Sequence, residues 1–143
     1  MLNKTKYPTK EEILKEITEQ NHKELVPTEK DIKVLKKWFK TNWKENKEKS
    51  LKELIQQLAK NHNTKIQVKV DLHSKTFYYN PQIKTIFLNN SFSVISSLHE
   101  LGHHLFGTSE LFACVWSVAL FKRAMPKTYD RLEWKEHMLI KKH

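Results

Sequence analysis

The sequence predicts an α+β fold in a single domain, and three observations carry that expectation. The chain has 143 residues, enough for one hydrophobic core. Apolar residues recur at helical spacing through residues 1–63 and again after Asn90, whereas residues 64–90 favour alternation of apolar and polar positions. Helices on either side of a short run of strands give an α+β order. The expected domain is 1–143, with a helical part over 1–63 and the sheet and later helices over 64–143.

Each element has its own local cause. Pro8 opens a helical segment whose Ile13, Leu14 and Ile17 share one side. Pro27 and the box Thr28-Glu29-Lys30-Asp31 start a second helix, with Ile32, Leu35, Phe39 and Trp43 as its apolar stripe. Ser50 is expected to cap a third, with Leu51, Leu54, Ile55 and Leu58 inward. Ile66, Val68, Val70 and Leu72 then alternate with polar residues, as a half-buried strand does. Residues 77–79 and 83–88 read as two more strands joined by Asn80-Pro81-Gln82, since Asn and Pro favour turns and break ladders. A small, mostly antiparallel sheet is expected. Val94, Leu98, Leu101 and Leu105 mark a fourth helix. Residues 111–121, apolar apart from Ser117, predict a buried helix, and Pro126 separates it from a final amphipathic helix over about 128–140.

Composition narrows the function classes. The longest apolar stretch is too short to span a bilayer, and residues 1–15 are charged throughout, unlike a signal peptide. The expected location is the cytoplasm, with no membrane partner. Cys114 is the only cysteine, so no internal disulfide forms, and its apolar neighbours predict a small core residue. The net charge is +10, spread evenly: residues 1–63 hold 15 Lys and Arg against 10 Asp and Glu, and residues 64–143 hold 11 against 6. Such a surface attracts nucleic acid or acidic proteins weakly and without specificity.

The chemistry concentrates in Ser97-Leu98-His99-Glu100-Leu101-Gly102-His103-His104, which contains the pattern H-E-x-x-H. Four residues of helix turn through about 400°, so His99 and His103 point within about 40° of each other, one turn apart. Two imidazoles in that relation can share one Zn²⁺. Glu100 stands beside such an ion, placed to take a proton from a zinc-bound water and pass it to a leaving amine. The two glycines of the chain, Gly102 and Gly107, fall in and just after the pattern. Gly102 suggests close approach of another backbone, and Gly107 a left-handed helix stop. A catalytic zinc takes three protein ligands. Glu110 is the nearest candidate for the third, with His73, His137 and His143 as alternatives. His104 points away from the pair. Tyr129 and His137 are candidates for steadying an oxyanion.

Residues 77–124 resemble the ImmA/IrrE-type metallopeptidases, within the glutamate-ligand zincins. The resemblance is carried by the strand pair around Phe77-Tyr78-Tyr79-Asn80-Pro81 and Lys84-Thr85-Ile86-Phe87-Leu88-Asn89, then Leu98-His99-Glu100-Leu101-Gly102-His103-His104. A Glu-x-x-Ala at Glu110 and Ala113 follows, and an apolar helix ending at Met125-Pro126. It implies a zincin-like domain with an active-site helix and C-terminal helices. It also implies His99, His103 and Glu110 as zinc ligands, Glu100 as general base, and a protein or peptide substrate. The gap from His103 to Glu110 is shorter than the family usually shows, and residues 1–63 match no helix-turn-helix of the kind some relatives carry. Two other readings stand beside this one. Lys33, Lys36, Lys37, Lys40 and Lys44, with Trp38 and Trp43 close by, could form a basic nucleic-acid-binding module. A catalytically inactive zincin-fold binding protein is the third.

Overall fold

The computed structural model describes residues 7–141. Three helices come first: α1 (Lys10–Glu19), α2 (Glu29–Phe39) and α3 (Lys47–Asn61). Each begins on a side chain that accepts a free backbone N–H of the first turn. Thr9 and Glu12 form a reciprocal capping box on α1, directly after Pro8. Thr28 caps α2 through the N–H of Asp31 at 3.1 Å. Asn46 caps α3 through the N–H of Lys49 at 3.1 Å. The expected cap, Ser50, lies inside α3, because a 3-10 turn over Trp43–Asn46 brings the chain into the helix earlier. That turn also takes Trp43 out of α2 and lays its ring on Trp38 at 4.6 Å between centroids.

The sheet is mixed. β1 (Gln67–Val70), β2 (Tyr78–Asn80) and β3 (Thr85–Leu88) lie in the order β1-β3-β2. β2 and β3 form the expected antiparallel pair around Asn80-Pro81-Gln82, and Asn80 Oδ1 accepts the Gln82 N–H at 3.0 Å. β1, however, runs parallel to β3, from Gln67 opposite Thr85 to Val70 opposite Leu88. β3 is therefore central and the most buried strand, with Ile86 and Leu88 fully covered. Leu72, expected to face inward, lies beyond the end of β1 and is exposed.

Two helices follow: α4 (Val94–Phe106), capped by Ser93, and α5 (Glu110–Ala124), capped by Ser109. α5 is buried almost all round and packs against α1, α2 and α4. Its one interior polar residue, Ser117, donates to the Ala113 carbonyl at 2.7 Å, so it carries no unsatisfied hydroxyl. The chain then departs from the expected final helix. A short α6 (Pro126–Asp130) leads into an antiparallel hairpin, β4 (Leu132–Lys135) and β5 (Met138–Lys141). Along β4, Leu132 and Trp134 are half-buried and Glu133 and Lys135 exposed, the period of a strand. The turn is Glu136-His137, with Glu136 at φ +58°. Tight two-residue hairpins require a positive φ, usually supplied by Asn or Gly. Without either residue, Lys135-Glu136-His137-Met138 reads as continuous helix.

A buried carboxylate joins the N-terminal helices to one another. Asp31 on α2 is fully covered and accepts from Asn61 Nδ2 at 2.9 Å and His62 Nε2 at 2.6 Å at the end of α3. The His62 ring in turn meets Phe106 and Trp116 edge-on. No helix among the described residues is long and apolar enough to cross a membrane.

Candidate metal centre

α4 and α5 meet at a tight elbow that sets the site. α4 stops where Gly107 takes φ +92° and ψ −157°. The positive φ agrees with the expected glycine stop, although ψ places it outside the left-handed helical region, in territory that only glycine adopts readily. Ser109 Oγ then accepts the Phe112 N–H at 3.1 Å. Glu110 is thus the first residue of α5, where a carboxylate suits the positive end of the helix. The helices close on each other at Gly102. A Cβ there would sit 3.0 Å from Ala113 Cα and 3.3 Å from both the Ala113 carbonyl oxygen and Cβ. The two small residues are what allow this approach.

The elbow brings together the three residues predicted to share a metal. His99 Nε2 lies 3.1 Å from one oxygen of Glu110, and His103 Nε2 lies 2.7 Å from the other. Among the described residues, His99, His103 and Glu110 form the group whose ligand atoms all fall within 4.8 Å of one another, and they could hold a metal ion. All three side chains are mostly but not fully buried. The outer shell fits the same use. His103 Nδ1 is 2.9 Å from the Gly107 carbonyl, so Nδ1–H donates there and Nε2 is left to face the cluster. His99 Nδ1 meets Cys114 Sγ at 3.6 Å. Burial first, then the charges of Glu110 and Glu100, push the Cys114 thiol up to about 12. It is a neutral buried thiol, as its apolar surroundings suggested. Its contact with His99 went unforeseen, although Cys114 stands one turn after Glu110 and so on the same face of α5.

Electrostatics separate the two glutamates. Burial acts to raise the pKa of Glu110, but hydrogen bonds from His103 and His99 and their charge outweigh it and hold the carboxyl far below its ordinary value. Glu100 shifts the other way: burial raises it, and Glu110 adds to that, against the opposing His99 and His103. One carboxylate is therefore built to stay ionised, and the other to hold a proton more readily than usual.

The remaining candidates disperse. His73 sits in the turn after β1, where its backbone N–H donates to Asp71. His137 lines the same cleft as the cluster but stacks on Tyr7, with centroids 4.3 Å apart. His143 lies outside the described residues. His104 is structural: Nδ1 meets the Tyr79 hydroxyl at 2.6 Å and Nε2 the Thr64 hydroxyl at 2.9 Å, tying α4 to β2 and to the start of the sheet. Tyr129 does not line the cleft. The cleft has a volume of about 540 Å³ and runs between β2, the α4–α5 elbow and the β4–β5 hairpin. Tyr7 and Met138 also line it, two residues that periodicity alone did not mark.

No protein-family model, curated protein or solved structure matches this chain.

Proposed function

We propose that the protein is a zinc-dependent metallopeptidase of the glutamate-ligand zincin kind. The observation that carries this reading is the convergence of His99 Nε2 and His103 Nε2 on the Glu110 carboxylate, inside a cleft that Glu100 also lines. Two imidazoles and one carboxylate are the donor set of a catalytic zinc with an open fourth position, and the set points to zinc in preference to the all-oxygen sites of calcium or magnesium. Zinc held there would supply a Lewis acid for the scissile carbonyl and for an attacking water.

The chain's own residues supply the rest. Glu100 accepts the proton of the attacking water on its carboxylate and returns it to the departing amine. Burial raises the Glu100 pKa, which makes its carboxylate a stronger base than an exposed glutamate and favours the first half of that task. β2, at the edge of the sheet and along the cleft, offers main-chain groups to an extended peptide. Gly107 orients His103 through its carbonyl, and Cys114 meets the outer nitrogen of His99 with its sulfur.

Metal analysis with three variants tests the assignment. The purified protein is expected to hold about one zinc per chain, and His99→Ala and His103→Ala to lose it. Glu100→Gln is expected to keep the zinc and lose peptide hydrolysis by at least about a hundredfold. A wild-type protein that takes no zinc, or loss of zinc in Glu100→Gln, would refute these roles.

A further inference from the structure

Five large apolar side chains are exposed among the described residues: Tyr7, Leu72, Tyr78, Ile83 and Met138. Three of them, Tyr7, Tyr78 and Met138, gather on the cleft that holds His99, His103 and Glu110. They arrive from three separate places, the segment before α1, the edge strand β2 and strand β5. Single exposed apolar residues are ordinary, but a group of them around one concavity marks a surface that is covered in use. Two of the rings are held in place. Tyr78 stacks on Phe87 at 4.6 Å and 15°, and its hydroxyl donates to Asp71 at 2.9 Å. Tyr7 stacks on His137 at 4.3 Å and 16°.

What the cleft lacks is equally informative. The chain carries 26 Lys and Arg, yet none among the described residues lines this cleft, whose charged groups are Glu100, Glu110 and histidines. Away from the His99–His103–Glu110 cluster, a phosphate or an acidic side chain would find no lysine or arginine to pair with. An apolar side chain would meet Tyr78 and Met138, which both line the cleft.

We infer that the cleft selects an extended peptide with a bulky apolar side chain, of the leucine, methionine or phenylalanine class, beside the bond that faces the His99–His103–Glu110 cluster. That side chain seats between Tyr78 and Met138. The position of the bond rests on the metallopeptidase reading; the apolar preference itself needs no metal. A peptide fits the cleft better than a lipid tail does, because an edge strand runs along it and ionisable groups line it.

The test uses the full chain and two blocked hexapeptides that differ only in a central Leu or Ser, titrated with zinc present and again with a chelator. The Leu peptide is expected to bind at least about tenfold tighter in both conditions, the scale set by burying one such side chain. Met138 is 49 % exposed, so Met138→Asp leaves the core intact. It is expected to remove about tenfold of the Leu peptide's affinity and none of the Ser peptide's. Equal affinities, no binding of either peptide at millimolar concentration, or a Leu preference untouched by Met138→Asp would overturn the inference. So would Met138-dependent binding to phosphatidylcholine vesicles in place of peptide. A Leu preference in a protein that never takes up zinc would sink the metallopeptidase reading and leave this one standing; zinc uptake without the preference would do the reverse.

Discussion

His103 is gripped on both sides of its ring, by the Gly107 carbonyl at Nδ1 and by Glu110 at Nε2. Burial opposes its positive charge, but these two acceptors, with the charges of Glu110 and Glu100, win, and its pKa lies above the ordinary 6.5. In the metal-free protein the pair with Glu110 therefore stabilises the fold fully below pH 6.5, and the contribution fades as pH rises through the higher folded value. Glu110 acts at the other end: its depressed pKa contributes stability above 4.5 that is lost as pH falls towards the folded value. Glu100, raised by burial, adds a loss of stability with rising pH that begins near 4.5. The expected outcome is a thermal midpoint of chelator-treated protein that falls as pH is raised above about 6.5, with His103→Gln flattening that fall. Zinc affinity should move oppositely, rising with pH as Nε2 sheds its proton. A metal-free midpoint that climbs from pH 6.5 to 8.5 would contradict the hydrogen-bonded His103–Glu110 pair. At this scale the sequence was most legible. The i, i+4 spacing fixes where His99 and His103 point, and it needs only a helix to be true. The third partner required the elbow, which is a matter of two helices.

That elbow depends on Gly102 and Ala113. Glycine inside a helix costs about 1 kcal/mol against alanine, so Gly102→Ala would stabilise α4 taken alone. In place, the new methyl would press on Ala113 Cα at 3.0 Å, a backbone atom that cannot swing aside. α5 must shift by a few tenths of an ångström, and Glu110 shifts with it. We expect Gly102→Ala to leave helix content unchanged while zinc affinity drops about tenfold, the range seen when ligand-positioning contacts are lost. Unchanged affinity would show that the close contact serves packing alone. Elements also set the limits of sequence reading. The β2–β3 hairpin was legible because Asn80 and Pro81 announce a turn. The parallel course of β1 was not, because direction is decided by how residues 71–77 carry the chain round to β2. The β4–β5 hairpin was hidden for a third reason. Its left-handed residue is Glu136, a good helix former, and only the alternation of Leu132 and Trp134 with charged neighbours spoke for a strand.

Across the whole molecule, the helices of residues 1–63 do more than cover the core. Asp31, Asn61 and His62 lock α2 to α3, and His62 reaches the aromatic pair Phe106 and Trp116 on α4 and α5. The basic face of α2 lies on the outside of this packing. Lys33, Lys36, Lys37 and Lys40 are all exposed. Whether that face reads nucleic acid turns on the aromatics beside it. Trp38 is buried and donates its Nε1–H to the Ser50 carbonyl at 2.9 Å. Trp43 is half-buried and meets Trp38 and, edge-on, Phe39. Neither presents a free ring for a base to stack on. What remains is charge, which binds phosphates without reading sequence. Single-stranded DNA is therefore expected to bind weakly, with a dissociation constant of about 10⁻⁴–10⁻⁶ M that worsens steeply with salt. Replacing the four lysines with glutamine should flatten the slope of log affinity against log salt by about three and leave zinc content untouched. Sequence-selective binding that survives chelation and disappears with the lysines would make the basic helix the working surface and the metal cluster secondary to it.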